Sequence, residues 1–289
     1  LRPEYTRAQI LYGENIMPDL ITSRQNETIK SISRLSSSAE IRREQGVFMV
    51  EGARLCADAA KSGMTVKMLF YTAQANEKYG NYISEIAEVA EQIYEFEPHV
   101  AELLSDTKTP QGVFCVCEMR RGALGLSGIN PKLHYLALEN IQDPANLGAV
   151  LRTAEALGIG GVILTGSCDI YSPKVLRASM GAVFRFPFFL ADNMAEAVKQ
   201  LNAAGFVSFA AVPDADAQEV TTIDFHQPSV LVVGNEGNGL TQEAISACSG
   251  TVTIPMLGRA ESLNASASAA ILMWEMMRSK FGGSSDAAR

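Results

Sequence analysis

The sequence predicts two α/β domains, the larger one built on a mostly parallel sheet with helices on both faces. Three observations carry this. From about Leu133 onward short apolar runs alternate with helical patterns, which is how a parallel sheet with crossover helices is written. Before it, a shorter series of strands and amphipathic helices runs from Pro18 to about Arg120. Between them, "RRGALGLSGINPK" is rich in glycine and charge and reads as a linker. The 289 residues, 47% of them hydrophobic, suffice for two cores. The expected organisation is a tail over residues 1–17, a first domain over 18–120, a linker over 121–132, a second domain over 133–282 and a tail over 283–289. The stretch before Pro18 has no signal-peptide core, and Met17 is expected to be the native start.

In the first domain, "NETIKSISRLSSSAEIRREQG" sets Ile29, Ile32 and Leu35 at helical spacing. "VFMVEG" is a strand, "ARLCADAAKSG" an amphipathic helix stopped at Gly63, and "VKMLFYT" a second strand. "YISEIAEVAEQ" comes next as a helix, then "IYEFE" and "VFCVCEM" as strands. In the second domain the strands are "HYLALE", "GVILTG", "FRFPFFL", "GFVSFAAV", "SVLVVG" and "TVTIP". The helices are "NLGAVLRTAEALG", "SPKVLRASMG", "MAEAVKQLNAAG", "LTQEAISACSG" and "SASAAILMWEMMRSKF". The last is too apolar all round for a solvent-facing terminal helix, so it is buried in the domain or forms a subunit interface.

Composition excludes several classes. The net charge of −8 argues against a nucleic-acid binder that uses its whole surface, while leaving room for a local basic site. Three scattered histidines and five cysteines without a CxxC pair point to no zinc site and no other metal, and to no histidine-centred triad. Cys115 and Cys117 fall on alternate positions of an apolar strand and read as buried thiols, which fits a reducing cytoplasm. No apolar run is long enough to span a membrane.

Polar residues gather directly after the strands. "HYLALE" is followed by Asn140, Asn146 and Arg152; "GVILTG" by Lys174, Arg177 and Ser179; "SVLVVG" by Asn235 and Glu236; "TVTIP" by Arg259, Ser262 and Asn264. In a parallel sheet these four loops converge on one edge, where ligands of such folds bind. Three loops carry cations, which suggests an anionic substrate met locally. Helix capping is the alternative for Asn146 and Ser262, since both precede helical patterns.

"LVVGNEGNGL" resembles a phosphate loop, yet its glycines Gly234, Gly237 and Gly239 have the wrong spacing for a dinucleotide fold. No lysine follows them, and Glu236 would repel a pyrophosphate. The loop suits close backbone approach to a ligand without net negative charge, such as S-adenosylmethionine, or simply a tight turn needing positive φ. In "IPMLGRAESLNASASAA", Pro255 and Gly258 break the chain, and the helix after them opens on small residues that let another backbone come close.

"NIQDPANLGAVLRTAEALG", "LVVGNEGNGL" and "IPMLGRAESLNASASAA", in this order and separation, resemble the three motifs of the SpoU (TrmH-like) RNA ribose 2′-O-methyltransferases of the SPOUT superfamily. The similarity covers about Leu133 to Phe281, "SPKVLRASMGAVFRFPF" included. "FMVEGARLCADAAKSG" resembles the substrate-binding domain fused to many of these enzymes, a small RNA-binding fold related to ribosomal proteins. The resemblance implies a deep C-terminal trefoil knot, a homodimer through the knotted domain, and S-adenosylmethionine as cofactor. It places Gly234, Ile254, Met256 and Leu263 against that cofactor, with Thr165 and Asn235 added to the set. It makes Arg152 the catalytic group, with Asn146, Glu236, Ser262 and Asn264 positioning the ribose and the guanidinium, and it gives Glu236 an ion pair with Arg152. Lys174, Arg177 and Arg259 are expected on RNA phosphates. The appended domain favours 23S ribosomal RNA as substrate; the alternatives are a tRNA methyltransferase of the same family and a non-catalytic RNA-binding relative.

Overall fold

The computed structural model describes residues 18–281 except 106, 108, 121, 122, 125, 127 and 261; the two expected tails lie outside the described residues. The chain divides into two compact units.

The first unit holds β1 (Asp19–Ile21), α1 (Glu27–Ser37), α2 (Ala39–Gln45), β2 (Val47–Glu51), α3 (Ala53–Lys61), β3 (Val66–Tyr71), α4 (Ala73–Ala87), β4 (Gln92–Phe96), α5 (Pro98–Leu104) and β5 (Val113–Glu118). Its sheet runs β1-β4-β3-β5-β2, with β5 antiparallel to both neighbours and the other pairs parallel. The helix expected over residues 26–46 is two helices. Ser38 is extended at φ −117, ends α1, and accepts the Ile41 N–H to cap α2. The helix expected from Tyr82 begins instead at Ala73, where Thr72 accepts the Ala75 N–H. β1 and α5 carry no periodic pattern long enough to be read. Ile29, Ile32, Leu35, Phe70, Phe96 and Phe114 form the core. Cys115 and Cys117 are buried as expected, and burial pushes both thiols up, so they stay protonated.

The second unit holds β6 (Ala123–Leu124), β7 (Tyr135–Glu139), α6 (Pro144–Leu157) and β8 (Val162–Thr165). The chain then leaves it for Tyr171–Arg185, which includes α7 (Pro173–Ala178). It resumes with β9 (Phe188–Leu190), α8 (Met194–Ala203), β10 (Val207–Ala211), β11 (Gln218–Glu219), β12 (Ser229–Val233), α9 (Gln242–Ala247), β13 (Gly250–Thr253) and α10 (Ala265–Phe281). The eight strands run β11-β13-β10-β12-β7-β8-β9-β6, and every neighbouring pair is parallel. β7, β8 and β12 are buried on both faces, which explains their unbroken apolar sequences. The strand expected over "FRFPFFL" is shorter, because Ala182–Phe184 forms a 3-10 turn and Pro187 has no N–H to donate. Part of the expected linker forms β6, an edge strand on β9.

Tyr171–Arg185 clusters with the first unit, although its sequence lies between two strands of the second. The Phe48 ring meets Tyr171 at 4.4 Å and Phe184 at 6.2 Å between centroids. The Tyr171 hydroxyl donates to the Arg120 carbonyl, and Arg185 Nη1 reaches Asp58 Oδ2 at 2.8 Å.

His134, just before β7, is buried, and its Nδ1 accepts the Ser229 N–H at 3.2 Å. Burial, with a lesser push from Lys280, lowers it from 6.5 to about 4. The unfolded chain therefore takes up a proton that the folded one refuses, and stability falls as pH drops from 6.5 toward 4. The loss from this group is at most about 3 kcal/mol, at about 1.4 kcal/mol per pH unit. Urea denaturation at pH 7 and pH 4.5 is expected to show that loss in the wild type and a smaller one in His134→Gln, whose amide oxygen can accept the same N–H without titrating.

Candidate active site

The register sets Val233 of β12 beside Leu138 of β7, and Glu139 of β7 beside Thr165 of β8. The carboxyl ends of these strands are therefore neighbours. The chain leaves β7 toward β8 on one side, while β12 pairs on the other, so a switch point lies between β7 and β12. Asn146 comes from the segment after β7 and Glu236 from the loop after β12. Asn146 is not a cap: Asp143 caps α6 by accepting the Ala145 N–H at 2.8 Å, with Pro144 in the first turn. Asn146 sits inside the helix, buried, and its Nδ2 donates to Glu236 Oε1 at 2.8 Å.

Its other end faces Asn264. Asn264 Oδ1 accepts the N–H groups of Ser266 (2.9 Å) and Ala267 (3.3 Å), so Asn264 rather than Ser262 caps α10. Capping fixes the direction of that amide and leaves Nδ2 to donate, at 3.0 Å, to Asn146 Oδ1. Asn146 must then present its own NH₂ to Glu236. The two asparagines form a one-way relay from the start of α10 to the carboxylate, the middle amide accepting with Oδ1 and donating with Nδ2.

The Glu236 loop is closed on itself. Asn235 and Gly239 exchange both backbone hydrogen bonds, and Asn235 Oδ1 accepts from Gly237 N and Asn238 N. Asn235 Nδ2 donates to the Asn140 carbonyl at 2.8 Å. That side chain holds the loop in shape, and the residue also lines the cavity described below. Gly234 lines the same cavity, and its missing Cβ has a reason within the chain. A Cβ there would lie 2.3–2.4 Å from the backbone of Gly239 and Leu240, so the close approach it permits is to its own chain. Gly234→Ala is expected to destabilise the protein by about 2 kcal/mol or more through forced backbone displacement. Thermal unfolding checks this, and a wild-type Tm would refute it.

A cavity of about 470 Å³ opens beside this loop. Gly234 to Leu240, Ile254, Met256, Ser262 and Leu263 line it, with Ala211–Pro213 opposite. Its size suits a small-molecule ligand. Among the described residues that line it there is no lysine, arginine or histidine, and Glu236 is the one carboxylate. That donor set repels a polyphosphate and accepts a ligand carrying positive charge. Thr165, expected in the same set, is buried at the end of β8 and does not line the cavity. Arg152 is exposed on α6, and the expected Glu236–Arg152 ion pair is not made within one chain: Glu236 is held by Asn146. Arg259 is exposed in the loop before α10. In the first unit, Lys174 is exposed and Arg177 half-buried on α7.

Residues 134–274 match the SpoU rRNA Methylase family, and residues 26–115 match the MRM3-like substrate binding domain. The chain is 31% identical over 270 residues to the 23S rRNA (uridine(2479)-2'-O)-methyltransferase of Streptomyces viridochromogenes, covering 91% of this chain and 93% of that one. It is 30% identical to the 23S rRNA (guanosine(2553)-2'-O)-methyltransferase RlmP of Bacillus subtilis, covering 89% and 98%. The chain belongs to the SpoU methylase family. The AdoMet-bound rRNA methyltransferase from Sinorhizobium meliloti superposes on this SpoU methylase with a TM-score of 0.80 at 32% identity, covering 90% of this chain and 98% of that one.

Two residues that shape the site in this SpoU methylase escape a sequence reading. Glu139 ends β7 and is buried, with Oε2 accepting the Thr241 N–H at 2.8 Å and Oε1 the Thr241 hydroxyl at 2.9 Å. Thr241 in turn caps α9 through the Ala244 N–H. The only local sign is an acidic residue closing an otherwise apolar strand.

Proposed function

We propose that this SpoU methylase transfers a methyl group from S-adenosylmethionine to a ribose 2′-hydroxyl of 23S ribosomal RNA. The observation that carries the reading is the Asn264–Asn146–Glu236 relay at the rim of a cavity that has no cation among its described lining residues. Gly234, Ile254, Met256 and Leu263 would hold the cofactor there, largely through backbone and apolar surface. Bound S-adenosylmethionine supplies an electrophilic methyl group on a positively charged sulfur. Glu236 sets a negative charge at the rim of that site. The ribose hydroxyl is a poor nucleophile and needs its developing charge stabilised. Arg152, whose guanidinium offers donors and no acceptor, can hold a neighbouring phosphate and the forming alkoxide. Lys174, Arg177 and Arg259 would carry RNA phosphates, with the first unit as the RNA-binding domain and the second as the methyltransferase domain.

The reading includes a homodimer. α10 buries Ala269, Leu272, Met273 and Met276, yet leaves Trp274 and Phe281 each 49% exposed and stacked at 5.4 Å. A partner on that face would cover them and bring its Arg152 toward Glu236. Trp274→Glu is expected to give a monomer by size-exclusion chromatography with light scattering; an unchanged dimer would move the interface elsewhere. The trefoil knot belongs to the same reading, supported by the return of α10 onto α6 and β12 after the Ile254–Asn264 loop. A cytoplasmic location goes with five free cysteines.

The deciding experiment incubates the protein and labelled S-adenosylmethionine with unmodified 23S rRNA and with tRNA, then maps 2′-O-methyl sites. One methylated ribose in 23S rRNA is expected. Label in tRNA alone would reassign the substrate, and cofactor binding without transfer to either would make the chain a non-catalytic relative.

A further inference from the structure

The start, middle and end of the Glu236 loop are all tied to the chain leaving β7. Asn235 donates to the Asn140 carbonyl, Glu236 accepts from Asn146, and Thr241 donates twice to Glu139. Glu139 is the unexpected member. Capping α9 needs only Thr241, whose hydroxyl accepts the Ala244 N–H. Glu139 adds a buried carboxyl, 5% exposed, with no ion pair among the described residues. Burying such a group costs free energy unless its hydrogen bonds are met. Both of its oxygens are spent on one residue 102 positions away. The Thr241 hydroxyl has a single proton, which goes to Glu139 and turns its lone pairs toward α9. The carboxyl thus fixes both the backbone and the rotamer of the residue at which the loop ends.

We infer that Glu139 is a positioning residue for Glu236: through Thr241 it holds the far end of the loop, so that the carboxylate stands at one distance from Asn146 and from the cavity. The inference rests on the reading that Glu236 serves methyl transfer, but the order of the loop can be measured without it. Helix stability alone does not call for this arrangement, because the two donors of Thr241 are met at the cost of burying an acid. Asn140 shares the duty from the other end, its φ of +58 aiming the carbonyl at Asn235.

The test compares wild type with Glu139→Gln, Thr241→Val and Thr241→Ser. Amide hydrogen exchange is followed over Asn235–Thr241 in the free protein, and kcat, the Kd for S-adenosylmethionine and Tm are measured alongside. Glu139→Gln turns an NH₂ toward one of the two Thr241 donors. It is expected to speed exchange in the loop about tenfold while the interior of α6 is unchanged. It should lower kcat about tenfold or more with cofactor Kd within about threefold, as for a reacting group displaced by a fraction of an ångström. Thr241→Val should match it, and Thr241→Ser, which keeps the hydroxyl, should restore both readouts. Wild-type exchange in Glu139→Gln and Thr241→Val would overturn the inference. So would kcat and cofactor affinity falling together in step with Tm. If the wild type methylates no RNA, the functional reading fails, while the exchange data still decide whether Glu139 orders the loop.

Discussion

Asn146→Asp is expected to lower kcat by about a hundredfold or more while leaving the fold intact, because misplacing a positioned group by an ångström costs on that order. The substitution is isosteric, so the packing of α6 is kept. The relay is altered: Asp still accepts from Asn264 Nδ2, but it has no proton to give Glu236 Oε1. Two carboxylates then face each other where a 2.8 Å hydrogen bond stood. Glu236 swings away unless the pair takes up a proton, and a proton on the introduced aspartate restores the donor that Glu236 has lost. Raising the proton concentration should recover part of the activity in this variant and none in Asn146→Leu. Single-turnover rates between pH 6 and 8.5, with cofactor affinity by titration calorimetry, decide it; a wild-type rate at neutral pH would remove the relay from catalysis.

Arg152→Ala should cost about a hundred- to a thousandfold in kcat, the usual toll of removing one donor from a developing anion. Cofactor affinity should be unchanged, since Arg152 does not line the cavity. The exposed position of Arg152 and the Glu236–Asn146 bond make a further outcome specific. If each site takes its arginine from the partner subunit, mixing Arg152→Ala and Asn146→Asp chains restores roughly a quarter of wild-type activity, because half the dimers are mixed and each holds one intact site. If the arginine acts within its own chain, the mixture stays inactive. Activity of Arg152→Ala alone at the wild-type rate would remove the residue from the mechanism.

Much of this site is legible in the sequence because a parallel sheet converts chain order into place. Strand, polar loop, helix, repeated, sends Asn146 and Glu236 to one edge, and their helical and glycine contexts are local. The residues that mislead are those whose partners lie far along the chain. Asn146 has the local context of a cap, but Asp143 takes that role and frees Asn146 for a residue 90 positions on. Gly234 lines the cavity, but the space its missing Cβ leaves is taken by Gly239 and Leu240, a need that its neighbours in sequence do not show. Glu139 gives almost no sign, since its partner Thr241 lies 102 positions away. Ser38 breaks a helix that propensity alone would continue, because its side chain caps α2. α5 and β1 are too short for periodicity to speak.

The Tyr171–Arg185 stretch bears on how the protein is made. The first unit is discontinuous: its Phe48 face is completed by Tyr171 and Phe184, and Asp58 waits for Arg185. During synthesis, domains tend to fold in the order they emerge. Here the earlier unit cannot finish until β7, α6 and β8 of the later one have already left the ribosome. A nascent chain halted near Arg120 would leave the Phe48 ring without Tyr171 and Phe184, so an expression fragment ending there is a poor mimic of the intact unit.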